Sequence, residues 1–218
     1  MMGRMGKRLR KGLLISFEGG EGGGKSTQIR LLRSWLVKQR YSVLVTRQPG
    51  GTALGIGIRR LLLHPTRTVV SSRAELLLYE ADRAQHVDDT IEPAMNAGRI
   101  VLTDRFADSS TVYQGICRKL GRARVEVLNH FATAGRKPDL TFVLDIDPKI
   151  GLERIGRRKH LDRIEREKLA FHQSVRRGFL TLARQGSRYR IVDASRPRAE
   201  IADQIQRAVA RALVRGRR

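Results

Sequence analysis

Residues 19–27 read Gly19-Gly20-Glu21-Gly22-Gly23-Gly24-Lys25-Ser26-Thr27, the spacing G-x-x-x-x-G-K-[ST], with an apolar run before it and an amphipathic pattern after it. Glycines let a loop turn its backbone N–H groups onto phosphate oxygens, and a helix N-terminus behind the loop adds partial positive charge. Lys25 can then reach the outer phosphates, and the Ser26 hydroxyl can sit on Mg²⁺. This is the chemistry of nucleoside triphosphate binding. Further along, Asp104-Arg105 ends another apolar run. An acidic group there can help hold Mg²⁺ through water, and the adjacent Arg can clamp a second phosphate. The strings D-x-x-G and N-K-x-D do not occur, and neither Asn96 nor Asn129 precedes a Lys, which disfavours a GTPase.

The elements that must position these groups follow from periodicity. Leu13–Phe17, Ser42–Thr46, Arg99–Thr103, Leu140–Leu144 and Arg190–Val192 are short apolar runs of the kind buried on both faces of a parallel sheet. Helical patterns lie between them, at Lys25–Gln39, Ala74–Ala97, Arg124–Ala134, a long stretch around Lys149–Gln185, and Ala199–Val214. The alternation predicts a three-layer α/β fold, a five-stranded parallel sheet flanked by helices, with ligands at the carboxyl ends of the strands.

The chain has 218 residues and 40% apolar content, enough for one domain with a real core. No apolar run approaches the roughly 20 residues of a membrane-spanning helix, so no membrane partner is expected and the reading is cytoplasmic. The lone Cys117 cannot form an intrachain disulfide. Net charge is +23, from 44 Lys plus Arg, of which only 9 are Lys, against 21 Asp plus Glu. Residues 1–12, 149–168 and 196–218 carry 14 of those 23 charges. The two ends read as solvated tails, residues 1–12 as a flexible basic one ahead of a single domain over 13–218. The internal stretch, about 149–163, reads as a mobile lid.

Five ordered motifs are similar to those of bacterial thymidylate kinases, nucleoside monophosphate kinases with this phosphate loop. Phe17–Thr27 resembles F-E-G-x-x-G-x-G-K-[ST]-T, Thr46–Thr52 resembles T-R-E-P-G-G-T, and Ala74–Val87 resembles E-L-L-L-F-x-A-D-R-x-Q-H-V. Asp104–Gly115 resembles D-R-[YF]-x-x-S-S-x-A-Y-Q-G, and Gly151–Glu165 resembles a lid ending in L-D-R-I-E. The resemblance implies transfer of the γ-phosphoryl group of ATP to dTMP, with Mg²⁺, in a homodimer. It implies that Arg47, Arg59 and Arg105 bind the dTMP phosphate, with Pro49 in the same turn as Arg47. Planar guanidinium forks suit a dianionic phosphate.

Tyr79 and Arg83, four apart on one helix, would stack on thymine and donate to its carbonyl edge. By resemblance Ser109, Ser110 and Gln114 complete the edge contacts, Tyr113 lies against the deoxyribose, and Glu21 accepts from the 3′-hydroxyl. Arg196 falls in a motif similar to the family's loop beside adenine. The loose transition state of phosphoryl transfer calls for a cation, and the phosphate loop has no Arg. The lid could supply one, with Arg158 placed first and Arg154 second.

Departures from the family pattern are Gln48 for Glu, losing a carboxylate that could orient a phosphate Arg or Mg²⁺, the absence of an acidic residue in Gly55–Arg59, and Gly throughout 22–24. Two alternatives stay open. One is the same fold acting on another monophosphate such as dUMP. The other is a nucleic-acid binder using the basic surface, though specific nucleic-acid binding is not expected.

Overall fold

The computed structural model describes residues 7–64, 70–156 and 161–215. In chain order the elements are β1 (Leu13–Glu18), α1 (Lys25–Lys38), β2 (Val43–Arg47), α2 (Ala53–Leu63) and α3 (Ser72–His86), the last continued by a π-helical turn over Val87–Ile91 and by α4 (Glu92–Asn96). Then come β3 (Ile100–Asp104), α5 (Ala107–Ser110) with a π-helical segment Thr111–Cys117, α6 (Arg122–Ala132), β4 (Leu140–Asp145), α7 (Pro148–Gly156), α8 (Leu169–Ala183), β5 (Tyr189–Asp193) and α9 (Arg198–Arg215). The sheet order is β2-β3-β1-β4-β5, and every pairing is parallel.

Alternate side chains of the strands enter two separate cores. Ile15, Phe17, Ile100, Leu102, Phe142 and Leu144 face α1 and α9, meeting Ile29, Leu32, Leu36, Ile201, Ile205 and Val209. On the opposite face Leu14 and Val101 meet Val87, Ile91, Met95 and Phe106, while Val143 meets Val112, Val175 and Phe179. Burial on both faces explains why the central strands read as unbroken apolar runs.

The structure differs from the periodicity in three places. The stretch 149–185 is two helices, because Asp162 Oδ1 accepts from the N–H groups of Ile164 and Glu165 while Glu165 Oε2 accepts from the Asp162 N–H. That reciprocal cap consumes the donors a continuous helix would use. An additional helix, α2, starts at the Thr52 hydroxyl, which accepts from Gly55 N. The predicted helix over 74–97 changes to π-helical geometry after His86. Of the basic segment 1–12, residues 7–12 run along the domain edge. Lys7 N donates to Arg40 O and Ser42 N to Lys7 O, Leu9 N donates to Gly98 O at 2.8 Å, and the Lys7 ammonium lies over the Tyr41 ring.

The phosphate loop packs against α7 backbone to backbone. A Cβ at Gly151 would lie 2.3 Å from Glu21 O, and one at Gly22 would lie 2.1 Å from Gly151 O. Ala normally stabilises a helix relative to Gly by roughly 1 kcal/mol, so the sign of a substitution reports on this contact. Gly151→Ala is expected to destabilise the fold by about 1–3 kcal/mol through forced overpacking. Thermal or urea unfolding checks it, and a stabilised variant would contradict the close approach.

Candidate functional site

A cavity of about 860 Å³ opens at the carboxyl ends of β1, β2 and β3. It is lined by the loop residues Glu21–Thr27, by Arg47, Gln48 and Pro49 after β2, by Arg59 and Tyr79, by Asp104, Arg105, Ser109, Ser110, Tyr113 and Gln114 after β3, and by Arg154 and Asp162. Most of the residues singled out by motif therefore share one wall.

The loop is built for close anion approach. Gly19, Gly22 and Gly24 have φ of 123°, 71° and 82°, and Gly24 is the residue before the first turn of α1. Lys25 Nζ donates to the carbonyls of Gly19 and Gly20 at 3.1 and 2.8 Å. Burial and the neighbouring Arg105 lower the ammonium pKa, against the opposing pull of Glu21 and Asp104. Ser26 Oγ donates to Asp104 Oδ2 at 2.8 Å, joining the loop to the end of β3.

Arg105 sits in the left-handed region, φ 71°. Its guanidinium donates to Gly19 O, to Ser109 Oγ and to Glu21 Oε1, the last at 2.5 Å, and it lies 5.1 Å from the Tyr113 ring centroid. Tyr113 OH also donates to Glu21 Oε1. Burial alone would raise the Glu21 carboxyl, but Arg105 and Lys25 pull it down to about 2. Beneath it, Glu18 accepts from Phe106 N and Ser109 Oγ, and burial together with Asp108 pushes its carboxyl up to about 7. Sequence reasoning took Glu18 only as part of a motif. Its position between β1 and the start of α5 shows it holding Ser109 in place.

Arg47 and Arg59 face each other across Gly50, where a Cβ would lie 3.0 Å from Arg59 Cδ and 3.7 Å from Arg47 Nε. Arg59 Nη1 donates to Pro49 O at 2.9 Å. Burial and Arg47 lower its guanidinium pKa, the signature of two cations held together. Ile56, where the resemblance expects an acid, is exposed and off the cavity wall, so the missing carboxylate is not a neighbour stripped from this pair.

Arg83 lies behind the wall, 1% exposed. It donates from Nε to Gln48 Oε1, from Nη1 to Glu80, Ser110 and Asn129, and from Nη2 to Phe106 O. Because a guanidinium can only donate, Gln48 must turn Oε1 toward Arg83 and Nε2 toward His86. Nε2 stands 2.9 Å from His86 Nδ1, which must accept, so His86 Nε2–H donates to Thr46 Oγ1 at 2.6 Å. Gln48 thus ties the end of β2 to α3 instead of orienting a phosphate Arg.

Arg154 Nη1 reaches Ala194 O at 3.1 Å and Gly22 O at 3.4 Å, spanning from α7 to the loop rim. Arg158, the other lid candidate, lies outside the described residues. Arg196 is exposed, pairs with Asp193 and Glu200, and is not on the cavity wall. A tie that the motifs do not mark joins Arg163 to the cavity wall: buried Glu75 accepts from Gln114 Nε2 at 2.6 Å and Arg163 Nη2 at 2.5 Å, with Arg118 Nε 3.5 Å away. No local signal marks it, since its partners are 39, 43 and 88 residues distant.

Comparison with known proteins agrees with this geometry. The thymidylate kinase family matches residues 17–205. A thymidylate kinase of a Cyanothece species is 49% identical, over 90% of this chain and 93% of that protein, and one of Gloeobacter violaceus is 50% identical, over 90% and 94%. A crystal structure of thymidylate kinase from Ehrlichia chaffeensis superposes with TM-score 0.76 at 27% identity, covering 91% of this chain and 99% of that one.

His86 carries a pH prediction. Burial, then Arg83, lowers its pKa from 6.5 to about 4. The unfolded chain binds more protons between those values, so stability from this group is present above pH 6.5 and lost as pH falls toward 4. The loss is on the order of 3 kcal/mol. Urea unfolding of the wild type and of His86→Gln at pH 4, 5, 6 and 7 should show the difference between the two shrinking toward the acid end. A constant difference would contradict a neutral, buried His86.

Proposed function

The chain belongs to the thymidylate kinase family of phosphotransferases, and from that premise we propose that its cavity transfers the γ-phosphoryl group of ATP to dTMP, giving dTDP and ADP for DNA precursor synthesis. The observation that carries this reading is the distribution of cations. Lys25 stands at the end of the phosphate loop, and Arg47, Arg59 and Arg105 line the same cavity from the end of β2, the middle of α2 and the residue after β3. Among the described residues Arg47 and Arg59 have no carboxylate partner within salt-bridge distance, which favours a dianionic phosphate as the group that relieves their repulsion.

In this reading residues 19–27 hold the ATP phosphates, and the backbone N–H groups and Lys25 neutralise charge on the outer oxygens. Ser26 Oγ and Asp104 Oδ2 are hard oxygen donors side by side, which fits Mg²⁺. When bound with ATP, Mg²⁺ supplies charge neutralisation at the β- and γ-phosphates. Arg105 clamps the acceptor phosphate, and Glu21, ionised between Arg105 and Tyr113, accepts from the sugar 3′-hydroxyl while Tyr113 packs against the deoxyribose. Tyr79 stacks on the base. Ser109, Ser110 and Gln114 face the base edge, and Arg83 supports Ser110 from behind with one Nη2 hydrogen still to give. Residues 149–163 form the lid of a single domain over 13–218. From that lid Arg158, with Arg154 beside the loop rim, reaches the charge that develops in transfer, and Arg196 flanks adenine.

In this reading the compartment is the cytoplasm; among the described residues no helix is long and apolar enough to cross a membrane. The homodimer is supported by exposed apolar side chains on the packed helices α3 and α6: Leu77, Val127 and Phe131, the last 84% exposed. Phe131→Glu is expected to convert a dimer to a monomer in sedimentation velocity at micromolar concentration. A wild type that is already monomeric would count against the assignment.

Coupled ADP release with ATP and Mg²⁺ tests the activity against dTMP, dUMP, UMP, dCMP and AMP. The expected outcome is preference for dTMP, with Lys25→Ala and Arg158→Ala each lowering turnover by about 10³-fold or more. ADP release that no monophosphate stimulates would overturn the reading.

A further inference from the structure

Two stripes of side chains meet at the base end of the cavity. On α3, Glu75, Tyr79 and Arg83 recur every fourth residue and share one face. Across from them Ser110 and Gln114, also four apart, lie at the junction of α5 and the π-helical segment. The contacts are made in pairs. Arg83 Nη1 donates to Ser110 Oγ at 3.0 Å, and Gln114 Nε2 donates to Glu75 Oε1 at 2.6 Å. Tyr79, Ser110 and Gln114 line the cavity, whereas Glu75 and Arg83 are 1% exposed and do not.

Each buried charge dictates the polarity of the group in front of it. A side-chain amide can present either its oxygen or its nitrogen, and the hydrogen-bond network decides which. A carboxylate can only accept, so Glu75 takes the Gln114 NH₂ and leaves Oε1 as the free end. A guanidinium can only donate, so Arg83 occupies a lone pair of Ser110 and leaves its O–H to donate elsewhere. The cavity wall therefore offers an acceptor at Gln114 and a donor at Ser110. That order is complementary to an imide edge, a ring N–H beside a carbonyl. It is mismatched to an amidine edge, a ring nitrogen lone pair beside an exocyclic NH₂.

We propose that Glu75 is a positioning residue for specificity: by fixing which end of the Gln114 amide faces the cavity, it makes the site select pyrimidine monophosphates with an N3–H imide over those with a cytosine edge. The proposal rests on the reading of the cavity as a pyrimidine monophosphate site. The same carboxylate holds Arg163 at 2.5 Å, beside the lid-return residues Asp162, Ile164 and Glu165 that line the cavity. The group that sets base polarity thus also anchors the point where the lid rejoins the domain.

A glutamine at position 75 can donate as well as accept, which frees the Gln114 amide to turn over. Removing a buried carboxylate beside two guanidinium groups threatens folding, so the test also uses the double variant Glu75→Gln/Arg163→Met, which removes one charge of each sign, with Arg163→Met as its reference. Arg163 is not on the cavity wall. The readout is kcat/KM for dTMP, dUMP and dCMP, with a thermal melt of each variant. A purely structural role lowers all three acceptors together and leaves their ratios fixed.

The expected result is that Glu75→Gln, and the double variant relative to Arg163→Met, lower the dTMP-to-dCMP ratio by roughly ten- to a hundredfold while leaving the dTMP-to-dUMP ratio within about twofold. A wild type that favours dTMP over dCMP, with that ratio unchanged in the folded variants, overturns the inference alone. A wild type that phosphorylates none of the three overturns the functional reading, and this inference with it.

Discussion

Parallel pairing of β1 with β3, with Phe17 opposite Asp104, is the constraint from which the site follows. β3 leaves the sheet directly after that pair and β1 one residue later, after Glu18, so the two exits lie side by side. The Arg105 N–H donates back to Phe17 O, so the chain after β3 turns over the end of β1. That turn requires the left-handed φ of Arg105 and brings its guanidinium to the Gly19 carbonyl. Glu18, the last residue of β1, then takes Phe106 N and Ser109 Oγ. Ser26 meets Asp104 across the same seam. The phosphate loop, the acidic strand end and the start of α5 are thus joined by backbone register before any ligand arrives.

The second constraint is electrostatic. A chain of net charge +23 could scatter its cations, but the buried ones are each held by an acceptor. Arg83 is ringed by Gln48, Glu80, Ser110, Asn129 and a carbonyl, and Arg188 is held at two nitrogens by Asp108. Arg47 and Arg59 are the contrast at the cavity wall: burial and then Arg47 lower the Arg59 guanidinium, and among the described residues neither forms an ion pair. Keeping like charges together costs stability, and such cost concentrates where a ligand of opposite charge relieves it. The overall excess of Arg is a different matter, a diffuse positive field that attracts any anion and that salt screens.

The phosphate loop and the five strands were legible because their signals are local: glycine spacing before Lys25, and short apolar runs of three to five residues. Helix α2 was not, since Ala53–Leu63 contains Gly55 and Gly57 and its start depends on one Thr52 hydroxyl. The glycine at 55 answers to tertiary packing, where a Cβ would come within 2.3 Å of Asp82. The break between α7 and α8 was visible only as Asp162 and Glu165 inside the L-D-R-I-E motif, whose capping role shows once their backbone bonds are seen. Arg83 was read on the right face of its helix, but a helical period carries no depth, and the side chain stands behind the wall. Glu75 stands in the sequence as the first letter of the E-L-L-L motif within residues 74–87, but its role has no local sign, because it is made of partners brought together by the fold.

Gln48 shows how a departure from a motif is read once its neighbours are known. Taken as a missing carboxylate, it suggests a weakened grip on phosphate or metal. In place, its amide accepts from Arg83 and donates to His86, and that direction carries through the imidazole to Thr46 at the end of β2. A glutamate there could only accept, so His86 would have to donate from Nδ1 and take the Thr46 hydroxyl at Nε2, reversing the relay. With glutamine the relay closes around an uncharged ring, and His86, at about 4, stays neutral near pH 7 beside the buried Arg83. The substitution therefore changes the polarity of a support that ties β2 to α3. Of the cations that face the cavity, Arg59 is held by the Pro49 carbonyl and Arg105 by Glu21, and neither bonds to Gln48.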